Sequence, residues 1–245
     1  MNTRTLHRQP SRRSRPDGPY LAGWIGRVAA LAGVGSAVLT FAGYLIIGPN
    51  PDSDASTSTI TAYYAAHHAD VFRAGMVLGY AAVLLAVFGI AVWARIRQTA
   101  LHPVVAGTAL VATAIAAVSD GMVATSWYML GAIGNTHAAA PGAIQTLHLS
   151  VSAGDLPGAC GLGVLLVMVA LAGIVASAFP RWIAWSALVL GILHIAPTPG
   201  VFGFFTGLAI LPWMCATGIT MFLRPGEAEQ APGRVPSTTA SPATS

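Results

Sequence analysis

The chain has 245 residues, of which 55% are hydrophobic and only 8% are charged, and its formal net charge is +4. Soluble domains carry about 25% charged residues, so this composition excludes an ordinary soluble domain and predicts a protein embedded in the lipid bilayer. All twelve basic residues are arginines, which is typical of a high-GC bacterial genome. Because they lie mostly beside apolar runs and in the tails, no nucleic-acid partner is predicted.

The two ends of the chain are polar and differ from everything between them. Residues 1–22 carry five arginines and no periodic apolar face, which predicts a disordered basic tail attracted to anionic lipid head groups. Residues 224–245 are rich in Pro, Ser, Thr, Ala and Gly and predict a second disordered tail. Residues 23–223 are predicted to form one transmembrane domain of six helices.

Six apolar runs make up that domain, and most exceed the roughly 20 residues that cross ~30 Å of hydrocarbon. No strand pattern occurs, so the predicted fold class is an all-α polytopic membrane protein. The predicted spans are residues 23–47, 71–94, 103–130, 156–179, 182–197 and 201–223.

The first outer loop is predicted to contain a short helix of its own. Pro49-Asn50-Pro51 turns the chain after the first span. Ser56 or Thr57 can then cap a helix that ends near His68, because a side-chain oxygen at that position satisfies a free backbone N–H.

The arginines predict the orientation in the membrane. If the basic N-terminal tail is cytoplasmic, eleven of the twelve arginines fall on the cytoplasmic side, and the first outer loop is acidic. Arg73 is the exception. The sequence therefore predicts a multi-pass protein of the bacterial inner (plasma) membrane with both termini in the cytoplasm; it predicts no oligomeric state.

A polar stretch leads into the fourth span and is the most unusual segment of the chain. Read as a helix, Gln145, His148, Ser152 and Asp155 fall on one face, because steps of three and four residues return to the same side. Pro157 then interrupts the backbone ladder two residues later. Such a stripe at a helix break can hold a ligand or ion; the alternative is that residues 145–155 form only a solvated turn at the membrane interface.

Ionisable side chains inside a membrane are costly, about 2.5–3.5 kcal/mol at the bilayer centre on insertion scales, so each is a functional candidate. Asp120 is the deepest, about 15 Å below the outer end of the third span. With the predicted topology, five such side chains on four helices fall in the outer half of the membrane. These candidates for a ligand or proton pocket are Arg73, Asp120, His148, Asp155 and His194.

Three interpretations of these residues compete. In the first, Arg73 pairs with Asp120 or Asp155 and the protein is a structural or partner-binding membrane subunit. In the second, the residues form an outward-facing pocket that binds or passes a small solute, ion or proton. In the third, His148, Asp155 and His194 hold zinc in a membrane-embedded metal-dependent hydrolase.

The helical spacing disfavours the metal site. His148 and Asp155 are two turns apart, about 10 Å along a straight axis, whereas metal–ligand distances are near 2 Å. The spacing favours a ladder of polar groups that descends to Asp120. No nucleotide fingerprint, CxxC or HExxH occurs, so the sequence predicts no cofactor and favours a non-enzymatic role.

Two short motifs and their surroundings carry a family resemblance. Phe72-Arg73-Ala74-Gly75 opens the second span, and Phe179-Pro180-Arg181-Trp182 leads into the short fifth span after a long fourth helix with an early histidine. The order resembles a bacterial integral membrane family catalogued only as a domain of unknown function. The resemblance covers about residues 20 to 223 and implies a six-span fold but no activity.

Overall fold

The structure is a computed structural model that describes residues 18–134, 140–196 and 201–224. It is 89% helical, without a strand in those ranges, which confirms the predicted fold class. The described ranges contain six helices. Five of them are long and apolar enough to cross a membrane by length and composition, and the remaining one, the fifth in chain order, is shorter. The six helices are α1 (Gly18–Ile47), α2 (Thr57–Arg97), α3 (Pro103–Gly134), α4 (Pro141–Ala176), α5 (Arg181–Ile195) and α6 (Val201–Leu223).

The ends of the helices differ from the predicted spans where polar sequence continues a helix. The helix predicted in the first outer loop is present but runs on into α2 without a break, because residues 57–70 contain neither Gly nor Pro. The predicted cap at Ser56 is confirmed, since its Oγ accepts a hydrogen bond from Thr59 N at 3.2 Å. At the other end, α1 begins at Gly18, inside the predicted tail; residues 1–17 and 225–245 lie outside the described ranges.

The fourth helix also begins early. α4 starts at Pro141, fifteen residues before the predicted span, because proline suits the first turn, where its missing N–H has no partner to lose. Pro157 lies inside α4 without ending it. A neighbouring helix supports this turn, since the Ser119 hydroxyl of α3 donates to the Gly154 carbonyl.

The helices pack in chain order, and α6 returns to α1, so that the bundle closes on itself. Glycines allow the closest approaches, because a side chain there would strike a neighbouring backbone. A Cβ on Gly75 of α2 would meet the backbone of Tyr128 in α3. A Cβ on Gly218 of α6 would lie 2.6 Å from the Ala30 carbonyl oxygen of α1. Gly79, the second glycine of the Gly75-x-x-x-Gly79 pattern, faces open space instead.

α5 ends well short of the outer end of α4. A Cβ on Gly163 of α4 would lie 2.5 Å from Cγ1 of Ile195, the last residue of α5. α4 extends 22 residues beyond that contact toward its N-terminus, about 33 Å at 1.5 Å per residue. Asp155 therefore lies about 12 Å beyond the end of α5, and its side chain is exposed.

Candidate functional site

Asp120 of α3 and Asp155 of α4 come together where the two helices cross. A Cβ built on Gly158 would lie 3.2 Å from Asp120 Oδ1, so the carboxyl group of Asp120 lies against the α4 backbone. Asp155 is three residues before Gly158 and shares its face of α4. Both carboxyl groups therefore lie at the same contact between α3 and α4.

The local sequence explains why the helices meet here. Gly154 and Gly158 flank Asp155 on α4, and the absence of side chains at both positions lets α3 approach. Ser119, the neighbour of Asp120, is buried and donates to the Gly154 carbonyl. This hydrogen bond fixes the register of α3 against α4 and thereby places Asp120 beside Asp155.

A third polar group faces the pair from α1. The Tyr44 hydroxyl is within electrostatic range of both carboxylates. Tyr44, Asp120 and Asp155 are all exposed at the surface of the bundle. We call these three residues the acidic recess. Within residues 18–134, 140–196 and 201–224, no hydrogen bond or ion pair joins either of its carboxylates to a basic side chain.

Serine hydroxyls continue the polar line between α3 and α4 toward the outer end. Ser126 of α3 and Ser150 of α4 are hydrogen bonded at 3.0 Å. Ser126 is seven residues from Ser119, which is two helical turns or about 10 Å. Polar groups thus descend along this contact to Asp120, as the ladder interpretation expects, but its upper members are serines.

Arg73 lies apart from the acidic recess. Its guanidinium pairs with Asp70 at 3.2 Å, and the two side chains are 69% and 53% exposed. The spacing of three residues on one helix is enough to form this pair. The structure thus places Arg73 with Asp70 and not with Asp120 or Asp155, the partners named in the structural interpretation.

His148 is buried among aromatic residues at the outer end. Its Nδ1 lies 2.8 Å from the Tyr64 hydroxyl, and its Nε2 lies 3.4 Å from the Asp52 carbonyl oxygen. A carbonyl only accepts, so Nε2 carries the proton and Nδ1 accepts from Tyr64. The Tyr64 ring also packs against Trp127 at 6.2 Å between centroids. His148 therefore attaches the first outer loop and α2 to α4.

His148 and Asp155 meet different helices although they share a face of α4. They are two turns apart, and the outer part of this face contacts α2 at Tyr64 while the inner part contacts α3 at Ser119. His194 lies in the last turn of α5, next to the contact of Ile195 with Gly163. Among the described residues, no three His, Cys, Asp or Glu side chains come together to hold a metal ion.

Two members of the site are not apparent from the sequence. Tyr44 near the outer end of α1 has the pattern of an aromatic residue at the membrane interface. Ser119 precedes an intramembrane aspartate, and small polar residues often bond to neighbouring helices. The sequence does not distinguish it from the other serines in the apolar runs.

No protein-family model matches the chain, and neither a curated protein nor a solved structure matches it. The family resemblance of the two short motifs therefore stays a prediction.

Proposed function

We propose that this multi-pass membrane protein binds a proton or a small cation at the acidic recess. The observation that carries the proposal is the placement of two carboxylates, Asp120 and Asp155, at one contact between α3 and α4, without a basic side chain bonded to either in the described residues. Two nearby carboxylates on membrane-spanning helices cannot both stay ionised at low cost. A proton shared by the pair, or a cation between them, removes that cost.

Hydroxyl groups near the two carboxylates can help to bind and release a proton or a cation. The Tyr44 hydroxyl can donate to a carboxylate or offer its oxygen to a cation. Ser126 and Ser150 provide hydroxyls along the route to the outer end. With both termini in the cytoplasm of a bacterial cell, as the arginines predict, this route leads to the outside, and the protein binds or passes its ion from that side.

The direct test counts protons. The purified protein, without buffer, is titrated from about pH 6 to alkaline pH, a range in which an ordinary carboxyl group has already lost its proton, in choline chloride and again in sodium chloride. We expect the wild type to release at least one more proton over that range than the variant with Asp120→Asn and Asp155→Asn together. If sodium binds, the release moves to lower pH in sodium chloride.

The matched control keeps the recess and removes a carboxylate elsewhere. Asp70→Asn neutralises the exposed partner of Arg73 and leaves the proton release of Asp120 and Asp155 unchanged. Proton release that is identical in the wild type and in the recess variant, in both salts, would overturn the proposal.

A further inference from the structure

A cavity lies at the opposite end of the bundle, where most of the arginines in the described ranges are. Its volume is about 290 Å³, and it opens between the ends of α2 and α6 and the loop that joins α4 to α5. The polar residues that line it are Arg95, Ser177, Arg181, Thr220 and Arg224.

An arginine holds the walls of this cavity together. Arg95 Nε donates to the Ala178 carbonyl at 3.1 Å, and Arg95 Nη1 donates to the Arg224 carbonyl at 3.0 Å. One guanidinium thus links the end of α2 to the α4–α5 loop and to the end of α6. Both carbonyls belong to residues just past the C-terminal ends of α4 and α6.

The charged side chains that line the cavity are all arginines. Three arginines line it, and no acidic side chain does. Arg181 and Arg224 are exposed, and within the described part of the chain no hydrogen bond or ion pair engages the guanidinium of either. α5 begins at Arg181 after Pro180, which makes no side-chain cap. Its first backbone N–H groups supply the positive end of one helix dipole, whereas α2, α4 and α6 end there with their negative ends, so the positive charge of the cavity comes from the guanidinium groups.

We propose that this cavity binds an anionic phosphate group. Guanidinium groups present parallel N–H donors that match phosphate oxygens, and the Ser177 hydroxyl adds a donor at the rim. The volume is near the lower end of the ~300–1,000 Å³ of small-molecule pockets, so one phosphate-bearing head group fills it. Basic pockets at the ends of membrane helices lie at the level of lipid head groups. This site is separate from the acidic recess and does not depend on the function proposed for it.

The test measures binding of phosphatidylglycerol, zwitterionic phosphatidylcholine and inorganic phosphate to the purified full-length protein. Native mass spectrometry counts the lipids that remain bound, and thermal unfolding in detergent reports stabilisation by phosphate. The variant carries Arg181→Gln and Arg224→Gln; both side chains are exposed, so we expect it to fold. An exposed ion pair in direct contact contributes up to about fivefold to binding, so the double variant should lose up to about 25-fold.

The control removes the same charge away from the cavity. Arg73→Gln lies on the outer part of α2, and Arg97→Gln lies at the same end as the cavity but packs over the Trp93 ring at 5.2 Å. The control pair should retain the wild-type affinity.

The outcomes separate the two sources of phosphate. Preferential retention of phosphatidylglycerol, lost in the cavity variant, identifies a lipid head group. Stabilisation by inorganic phosphate without a lipid preference, lost in the same variant, identifies a soluble phosphate compound. Equal binding by the cavity and control variants, or binding of neither probe by the wild type, would overturn the proposal.

Discussion

At the scale of single residues, the acidic pair makes an unusual stability prediction. In choline chloride at alkaline pH, Asp120→Asn should stabilise the protein by on the order of 1 kcal/mol, because it removes the repulsion between neighbouring carboxylates. The gain should disappear as the pH falls, since both wild-type carboxyl groups are then protonated and no longer repel. Thermal unfolding across pH measures it, and a loss of stability at alkaline pH would show that Asp120 has a cationic partner.

The ion pair between Arg73 and Asp70 should contribute little to the stability of the protein. This pair is exposed, so Arg73→Leu should cost about 1 kcal/mol or less. A buried partner such as Asp120 would raise the cost to about 3–5 kcal/mol. The free energy of unfolding of Arg73→Leu, of Asp70→Asn and of the double variant measures the pair. A large loss that Asp120→Asn or Asp155→Asn partly restores would contradict the surface pair.

His148 should matter for stability at the outer end. His148→Leu leaves the buried Tyr64 hydroxyl without its acceptor, which costs about 1–3 kcal/mol. The matched control is His67→Leu, an exposed histidine on the same end of the molecule. Adding Tyr64→Phe to His148→Leu should recover part of the loss, because no buried hydroxyl then remains unpaired. Equal stability of the two histidine variants would show that the hydrogen bond contributes nothing measurable.

Some of these residues can be identified from the sequence and others cannot, and the reason is physical in both cases. Asp120 and Asp155 are conspicuous because carboxylates are rare in apolar runs. His148 is conspicuous too, but periodicity gives only its face on α4 and does not say which helix that face meets. That depends on how α2 and α3 cross α4, which the close approach at Gly75, Gly154 and Gly158 decides.

At the scale of helices, glycine placement predicts which positions hold the bundle together. Gly75→Leu should destabilise the protein by at least about 2 kcal/mol, because its side chain would strike the Tyr128 backbone. Gly79→Leu, one turn further along α2, should be nearly neutral, since a Cβ there meets nothing within 4 Å. Thermal unfolding in the same detergent compares the two. Equal destabilisation would contradict the packing of α2 on α3.

The predicted starts of α2 and α4 were too late for one common reason. Hydropathy marks where a helix enters lipid, and it does not mark where the helix ends. The polar residues 57–70 and 141–155 therefore read as loop or interface, yet both continue a transmembrane helix. Pro141 was a usable start signal, because proline favours the first turn of a helix. In contrast, the apolar cores of the spans were predictable, since lipid leaves a backbone few alternatives to helix.

At the scale of the whole molecule, the distribution of arginines predicts the orientation. Ser53→Cys in the first outer loop should react with a membrane-impermeant thiol reagent in intact cells, and Ala100→Cys between α2 and α3 should not. Both positions are exposed. The native Cys160 and Cys215 are replaced by alanine in both proteins. The reverse labelling pattern would place the acidic recess and the basic cavity on the opposite sides from those expected.

The most direct measurement is the infrared spectrum of the carboxyl groups in the purified protein at neutral pH, because a protonated acid and an ionised carboxylate absorb at different frequencies. In choline chloride, the wild type should show a protonated-acid band that Asp120→Asn or Asp155→Asn reduces and that Asp70→Asn leaves unchanged. If the recess also binds sodium, that band should weaken in sodium chloride. A spectrum in which both recess carboxylates are ionised in choline chloride would contradict a proton- or cation-binding acidic pair.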